Sequence, residues 1–204
     1  MNKRKFSLKD IPGWVITLAI IGILYITGYH TEVIGQAQRV VLATGLIKPS
    51  LPHQAEGEKA SLTEKNMAGA GFQMTDLNGT PVNFENLHGK VIFLNIWATW
   101  CPPCIAEMPN IQSLYKKVDP EKIVFVMLSI DEKGSEKVNR FIERKGYTFP
   151  VYLPANPLPA AFASNVVPAT FIISPKGQVV AKHEGMANYD SKEMKDFLNG
   201  LTEN

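Results

Sequence analysis

The stretch Asn95-Ile96-Trp97-Ala98-Thr99-Trp100-Cys101-Pro102-Pro103-Cys104-Ile105-Ala106-Glu107-Met108-Pro109 decides how the rest of the chain is read. It joins a nearly continuous apolar run at 91–97 to a segment at 102–117 in which Ile105, Met108, Ile111, Gln112, Leu114 and Tyr115 recur at offsets of three and four. Such a run predicts a central strand covered on both faces, and the three-four spacing predicts an amphipathic helix. The only two cysteines of the chain stand at the junction.

Two cysteines three positions apart at a helix start lie one turn apart, within reach of a disulfide. Cys101 sits at the mouth of the helix, where unpaired backbone N–H groups and the positive end of the helix dipole favour a thiolate, so it is read as the attacking sulfur. Cys104, one turn inside, is read as the shielded sulfur that resolves a mixed disulfide. Pro102 and Pro103 fit a first helical turn because the N–H groups they lack have no helical partner there. They also delete two donors to the Cys101 thiolate and leave the Cys104 N–H as the main one, which predicts a reducing couple.

Working outward, residues 72–75 and 82–84 flank Asn78-Gly79 and predict a β-hairpin. Residues 123–129 repeat the buried-strand pattern, and 135–144 predict a helix with Val138, Phe141 and Ile142 inward. A segment at 149–153, a short piece at 160–163, strands at 169–174 and 178–182 and a helix at 191–198 complete an α/β alternation, expected to give a mixed sheet with helices on both faces.

The 204 residues suit one core plus an appendage. The 21 basic and 19 acidic residues leave a net charge of +2, which supplies no field for a phosphate backbone, so nucleic acid is not the expected partner. The uncharged apolar run 11–29 follows Lys3, Arg4, Lys5 and Lys9, the pattern of a transmembrane helix with its N-terminus inside and the rest of the chain exported. The expected organisation is a cytoplasmic basic tail at 1–10, an uncleaved anchor at 11–30, a juxtamembrane segment and tether at 31–70, and a catalytic domain at 71–204. Within 31–70, Val33, Ile34, Ala37, Val40 and Val41 have roughly helical spacing and predict a short interfacial helix. Whether that apolar patch packs on membrane, on the domain or on a partner is left open by the sequence.

Over 72–201, the motif quoted above, the His88-Gly89-Lys90 turn and Val166-Val167-Pro168-Ala169-Thr170-Phe171 resemble the TlpA/ResA-like family of membrane-anchored, thioredoxin-fold thiol-disulfide oxidoreductases. The resemblance implies a thioredoxin-like fold with an N-terminal β-hairpin and an inserted helix-strand at 135–153. It implies that Glu107, three positions after Cys104, serves as proton acceptor, where ordinary thioredoxins carry a strand aspartate at the position of Asn95. It also implies that Pro168 is a cis-proline opposite the cysteine pair. Trp100, Pro102, Pro103, Val167 and Pro168 are then the expected substrate-binding residues, Trp97 a core residue and Pro109 a structural kink. The proline-rich 154–159 departs from the family pattern.

The expected activity is reduction of disulfides in exported proteins on the periplasmic side, with electrons from a membrane-embedded thiol donor. The family's role in cytochrome c maturation is one setting, and the chain is read as a monomer. No cofactor is expected beyond the Cys101-Cys104 pair. A disulfide oxidant or isomerase is the alternative within the class. Zinc is disfavoured because His30, His53, His88 and His183 are scattered singly and no second cysteine pair exists. Copper delivery on the same fold is disfavoured because its usual wider cysteine spacing is not seen, and no third cysteine suggests a peroxidase.

Overall fold

The computed structural model of the protein describes residues 12–27, 29–44, 47, 49, 67–132 and 134–203. Two helices, α1 (Gly13–Ile26) and α2 (His30–Ala43), precede β1 (Gln73–Asp76), β2 (Pro81–Asn83) and β3 (Val91–Trp97). Next come α3 (Pro102–Tyr115), β4 (Ile123–Ser129), α4 (Ser135–Lys145), β5 (Val151–Pro154), β6 (Ala169–Ile173), β7 (Val179–Glu184) and α5 (Lys192–Leu201). Short 3-10 turns occupy Phe84–Leu87 and Ala160–Phe162.

The strands form one sheet in the order β2-β1-β5-β4-β3-β6-β7. The central β5, β4 and β3 run parallel, and an antiparallel hairpin closes each side. Every residue of β3 is buried, as its unbroken apolar run requires. The β1–β2 loop is closed by the Asp76 carboxylate, which accepts the N–H groups of Asn78 and Thr80 at 2.8 Å each. Gly79 there takes a φ of +86°, a conformation that suits glycine.

Alternate residues of β3 point to two different cores. Val91, Phe93 and Trp97 pack with residues of α3, α4 and α5, whereas Ile92, Leu94 and Ile96 pack with Phe72, Phe84 and Phe162. The three long helices of the domain thus share one face, and the other is covered by the 3-10 turns and aromatic side chains. The expectation of helices on both faces is corrected to this extent. The cause is topological: β3-α3-β4 and β4-α4-β5 are parallel crossovers stepping in the same direction across the sheet, and right-handedness puts both helices on the same side.

The side chains of α1 are mostly exposed and none is buried. Among the described residues no single helix is long and apolar enough to cross a membrane; α1 and α2 pass that test only together, bent by 98° at their junction. The basic tail at 1–10 and most of the tether, 51–66, lie outside the described residues.

The helix expected from the spacing of Val33 to Val41 is α2, and it packs on α3. Gly35 brings the two backbones together: a Cβ there would stand 3.2 Å from the Pro102 carbonyl oxygen and 3.3 Å from Ile105 Cγ2. Pro109 has no N–H to give the Ile105 carbonyl four residues earlier. Arg39 Nη2 of α2 donates to that carbonyl instead, at 3.4 Å. Glu32 pairs with Arg144 and, at 2.8 Å, with Lys145 of α4. Ile47 then accepts the Asn188 N–H at 3.0 Å, and Ala68 donates to Gly177 at 2.8 Å. The domain's packing therefore extends to elements on the N-terminal side of residue 71.

Candidate active site

Cys101 is the N-cap of α3, and Pro102 and Pro103 form the first turn. Cys101 and Cys104 are joined in a disulfide with their Cα atoms 5.3 Å apart. The Cys104 N–H donates to Cys101 Sγ at 3.2 Å, so the first donor after the two prolines is the one aimed at the sulfur. Exposure, however, does not separate the two residues: Cys101 is 3% exposed and Cys104 1%. The assignment of Cys101 as the attacking sulfur therefore rests on its cap position and not on greater exposure. Its neighbour Trp100 is 52% exposed and forms the open rim, while Trp97 is wholly buried against Phe141.

Across from the pair, the Val167–Pro168 peptide bond is cis. The Val167 carbonyl oxygen lies 3.6 Å from Cys101 Sγ, positioned to accept from that thiol once the disulfide is reduced. Val167 is half-buried, Pro168 buried, and Pro102 and Pro103 half-buried. Trp100, Val167 and the Pro102-Pro103 turn are thus the accessible surface around the pair, and Pro168 is buried.

Glu107 follows Cys104 by one turn of α3 and is wholly buried. The Asn95 side-chain amide donates to its Oε1 at 2.8 Å and the Ala187 N–H to its Oε2 at 3.1 Å. Burial outweighs both hydrogen bonds and pushes the carboxyl up to about 8. A carboxyl so placed carries its proton at neutral pH and can exchange it with a neighbouring group there. Asn95 also donates to Thr170 Oγ1 at 2.9 Å, which in turn accepts the Tyr189 hydroxyl at 2.7 Å. Desolvation holds Tyr189 well above its ordinary range, so its hydroxyl stays protonated as a donor. The Asn95 Oδ1 atom is buried with no hydrogen-bond partner among the described residues.

Asp131 was not singled out from the sequence. Its carboxylate accepts the Thr99 N–H at 2.8 Å, the Thr99 hydroxyl at 2.6 Å and the Ser129 hydroxyl at 2.9 Å, and pairs with Lys137 at 3.2 Å. Burial alone would raise its pKa, but the bonds from Thr99, Ser129 and Lys137 hold it below the usual carboxylate range. It pins the loop that leads into Trp100 and Cys101. The available signal was an acidic residue just past the carboxyl end of a central parallel strand, where open α/β sheets place their sites. Ala187 and Tyr189, which help complete the surroundings of Glu107, carried no motif of their own, and Thr170 was read only as part of the 166–171 segment, with no role assigned.

The Redoxin family model matches residues 56–198. Thiol-disulfide oxidoreductase ResA of Halalkalibacterium halodurans is 31% identical over 126 residues, 61% of this chain and 71% of that one. ResA of Bacillus subtilis is 34% identical over 123 residues, covering 60% and 68%. The crystal structure of a thiol:disulfide interchange protein of the thioredoxin family from Chlorobium tepidum TLS is 26% identical, with a TM-score of 0.54 over 64% of this chain and 92% of that one. With a redox disulfide at a helix cap, a cis-proline opposite and a thioredoxin-like sheet beneath, the chain belongs to the Redoxin family and, within it, to the TlpA/ResA-like thiol-disulfide oxidoreductases.

Proposed function

We propose that this oxidoreductase works as a reductase of disulfides in exported proteins, outside the cytoplasmic membrane and tethered to it through residues 11–30. The observation that carries the reducing direction is the cap of α3. Two consecutive prolines leave one N–H, that of Cys104, directed at Cys101 Sγ. A thiolate stabilised by few donors is a better electron source than one held by many.

In the reduced enzyme the Cys101 thiolate attacks a substrate disulfide, forming an enzyme–substrate disulfide and releasing one substrate thiolate. Cys104 then attacks Cys101 Sγ and displaces the second substrate sulfur. Two electrons pass to the substrate. Cys104 must lose a proton to attack, and Glu107, one turn along the same helix, takes it in the fraction of molecules whose Glu107 carboxyl is ionised, a fraction that grows as pH approaches 8. A membrane-embedded dithiol of lower potential restores the pair by the reverse exchange. The electrons reside on the cysteines alone, and the chain works as a monomer. Exposed Trp100 and the Val167-Pro168 turn receive the substrate segment. Resemblance to the family suggests apocytochrome c Cys-x-x-Cys-His segments as one substrate.

Trapping is the direct test. In a Cys104→Ser chain expressed in its host, mixed disulfides should accumulate with exported proteins and with a membrane thiol donor. A redox midpoint near the roughly −120 mV of strong oxidants would instead make the protein an oxidant and overturn the reductase reading.

A further inference from the structure

The faces of α2 divide sharply. Gly35, Arg39 and Leu42 meet the catalytic domain, and at about 100° per residue they centre on the side opposite Val33, Ala37 and Val40. The outward side is apolar yet uncovered: Val33 is 53% exposed, Ile34 47%, Val40 70% and Val41 47%. A helix that turns Gly35, Arg39 and Leu42 to its own domain and leaves a valine-isoleucine stripe outside lacks a partner for that stripe among the described residues.

We propose that this stripe rests on the lipid bilayer, so that α2 lies in the membrane interface and holds the redox helix at a fixed orientation above it. The inference builds on the anchor reading, and four observations name the occupant. The stripe closely follows α1 in the chain, and the side chains of α1 are mostly exposed and apolar. The 98° bend between the helices lays α2 along the bilayer plane when α1 stands across it. Exposed aromatic residues, Tyr25 and Tyr29, stand where α1 meets α2, as expected of side chains at a lipid–water boundary, and exposed Trp14 lies toward the other end of α1. Finally, Thr27 and Tyr29 at the junction share a cavity of about 520 Å³ with Lys137, Arg140 and Arg144 of α4.

Those cations have carboxylate partners in Asp131, Glu136 and Glu32, but the Arg140–Glu136 pair is largely exposed and open to exchange with a lipid phosphate. They would sit at headgroup height and give the surface its preference for anionic lipid. Because α2 is in direct contact with α3, the Cys101 cap is then one helix-packing distance, about 10 Å, beyond the interfacial helix. That suits exchange with a thiol donor embedded in the same bilayer.

The test uses the full chain in nanodiscs of anionic lipid, one chain per disc. A tryptophan introduced by Val40→Trp, and separately by Ile34→Trp, is read as difference emission against the parent chain. A stripe seated several ångströms into the headgroup region should give blue-shifted emission that loses about half or more of its intensity when the lipid acyl chains are brominated. Water-like emission unaffected by bromine would overturn the proposal. So would blue-shifted emission that bromine leaves untouched, because the stripe would then be covered by protein, a second copy included. In the Ile34→Trp chain, adding Val33→Glu and Val40→Glu should abolish the quenching while turnover with a soluble dithiol is retained. Extraction by alkaline carbonate separates the two levels: a chain released from membranes fails the anchor reading itself, whereas a retained chain with unquenched stripe tryptophans fails only this one.

Discussion

Replacing the buried carboxyl by its neutral isostere, Glu107→Gln, should flatten the pH dependence of stability. In the native protein the group keeps its proton to about pH 8, against 4.5 for its ordinary value. Between those limits the unfolded chain has released a proton that the folded one still holds, so stability falls as pH rises and levels off once the folded group ionises. Two and a half units, from pH 5 to 7.5, at ~1.4 kcal/mol per unit give a loss of about 3 kcal/mol from this group. The assay is urea unfolding of the oxidised chain in detergent, parent and variant side by side, with the difference between the two curves cancelling every other titration. The infrared band of a protonated carboxyl should disappear from the parent near pH 8 and be absent from the variant. A difference that stays constant across pH 5–7.5, or a carboxyl band lost near pH 4.5, would refute a buried, protonated Glu107. The same substitution should slow resolution of the mixed disulfide by about a hundredfold, the lower range for loss of a general base, while formation of that disulfide is unchanged.

Cys101→Ser should abolish capture of substrate altogether, whereas Cys104→Ser should capture it irreversibly; equal trapping by both, seen on non-reducing gels, would show that either sulfur can attack. Asp131→Ala strands the buried Thr99 N–H and its neighbours and should cost about 3 kcal/mol in urea unfolding at neutral pH. Because Asp131 is held below its ordinary range, its contribution is present above the unfolded value and lost as pH falls through the folded one, so parent and variant should converge only in strong acid. Gly35→Leu places a branched side chain where a single Cβ already meets Pro102 and Ile105, and should free α2 from α3, seen as faster hydrogen exchange in α2 with β3 still protected. Asn95→Asp combined with Glu107→Gln moves the carboxyl to the strand and keeps the 2.8 Å pairing in reverse; it should recover part of the resolving rate that Glu107→Gln loses, measured against both single variants.

The catalytic domain was legible because its signals are local. A nearly continuous apolar run of seven residues reads as a doubly covered strand, and β3 spans the predicted residues. The Cys101 cap follows from the inability of proline to donate, so the hydrogen bond from Cys104 could be read before any coordinates. What stayed hidden depends on contacts between distant segments. Asp131 acquires its role only because β4 pairs in parallel with β3 and ends beside Thr99. The one-sided placement of α3 and α4 depends on strand order, which periodicity does not encode. The stripe Val33 to Val41 was visible as helical spacing, but its direction was not: the sequence left membrane, domain and partner open, and the meeting with the domain is made by Gly35, Arg39 and Leu42. A glycine and an arginine do not register as a packing face until the partner is known to lack a donor, as α3 does at Pro109.

That missing donor ties the chemistry to the segment that precedes the domain. Arg39 satisfies the carbonyl of Ile105, the residue after Cys104, and Ile47 accepts the N–H of Asn188, the residue after the one that donates to Glu107. The helix bearing the sulfurs and the loop bounding Glu107 therefore each share a hydrogen bond with α2 or Ile47. Moving that segment as a body shifts both partners of the resolving step together, whereas tilting it shifts one against the other. On the proposed mechanism Cys104 must both approach Cys101 and pass its proton to Glu107, so a tilt is the costlier motion. A helix seated flat on a planar surface resists that motion most.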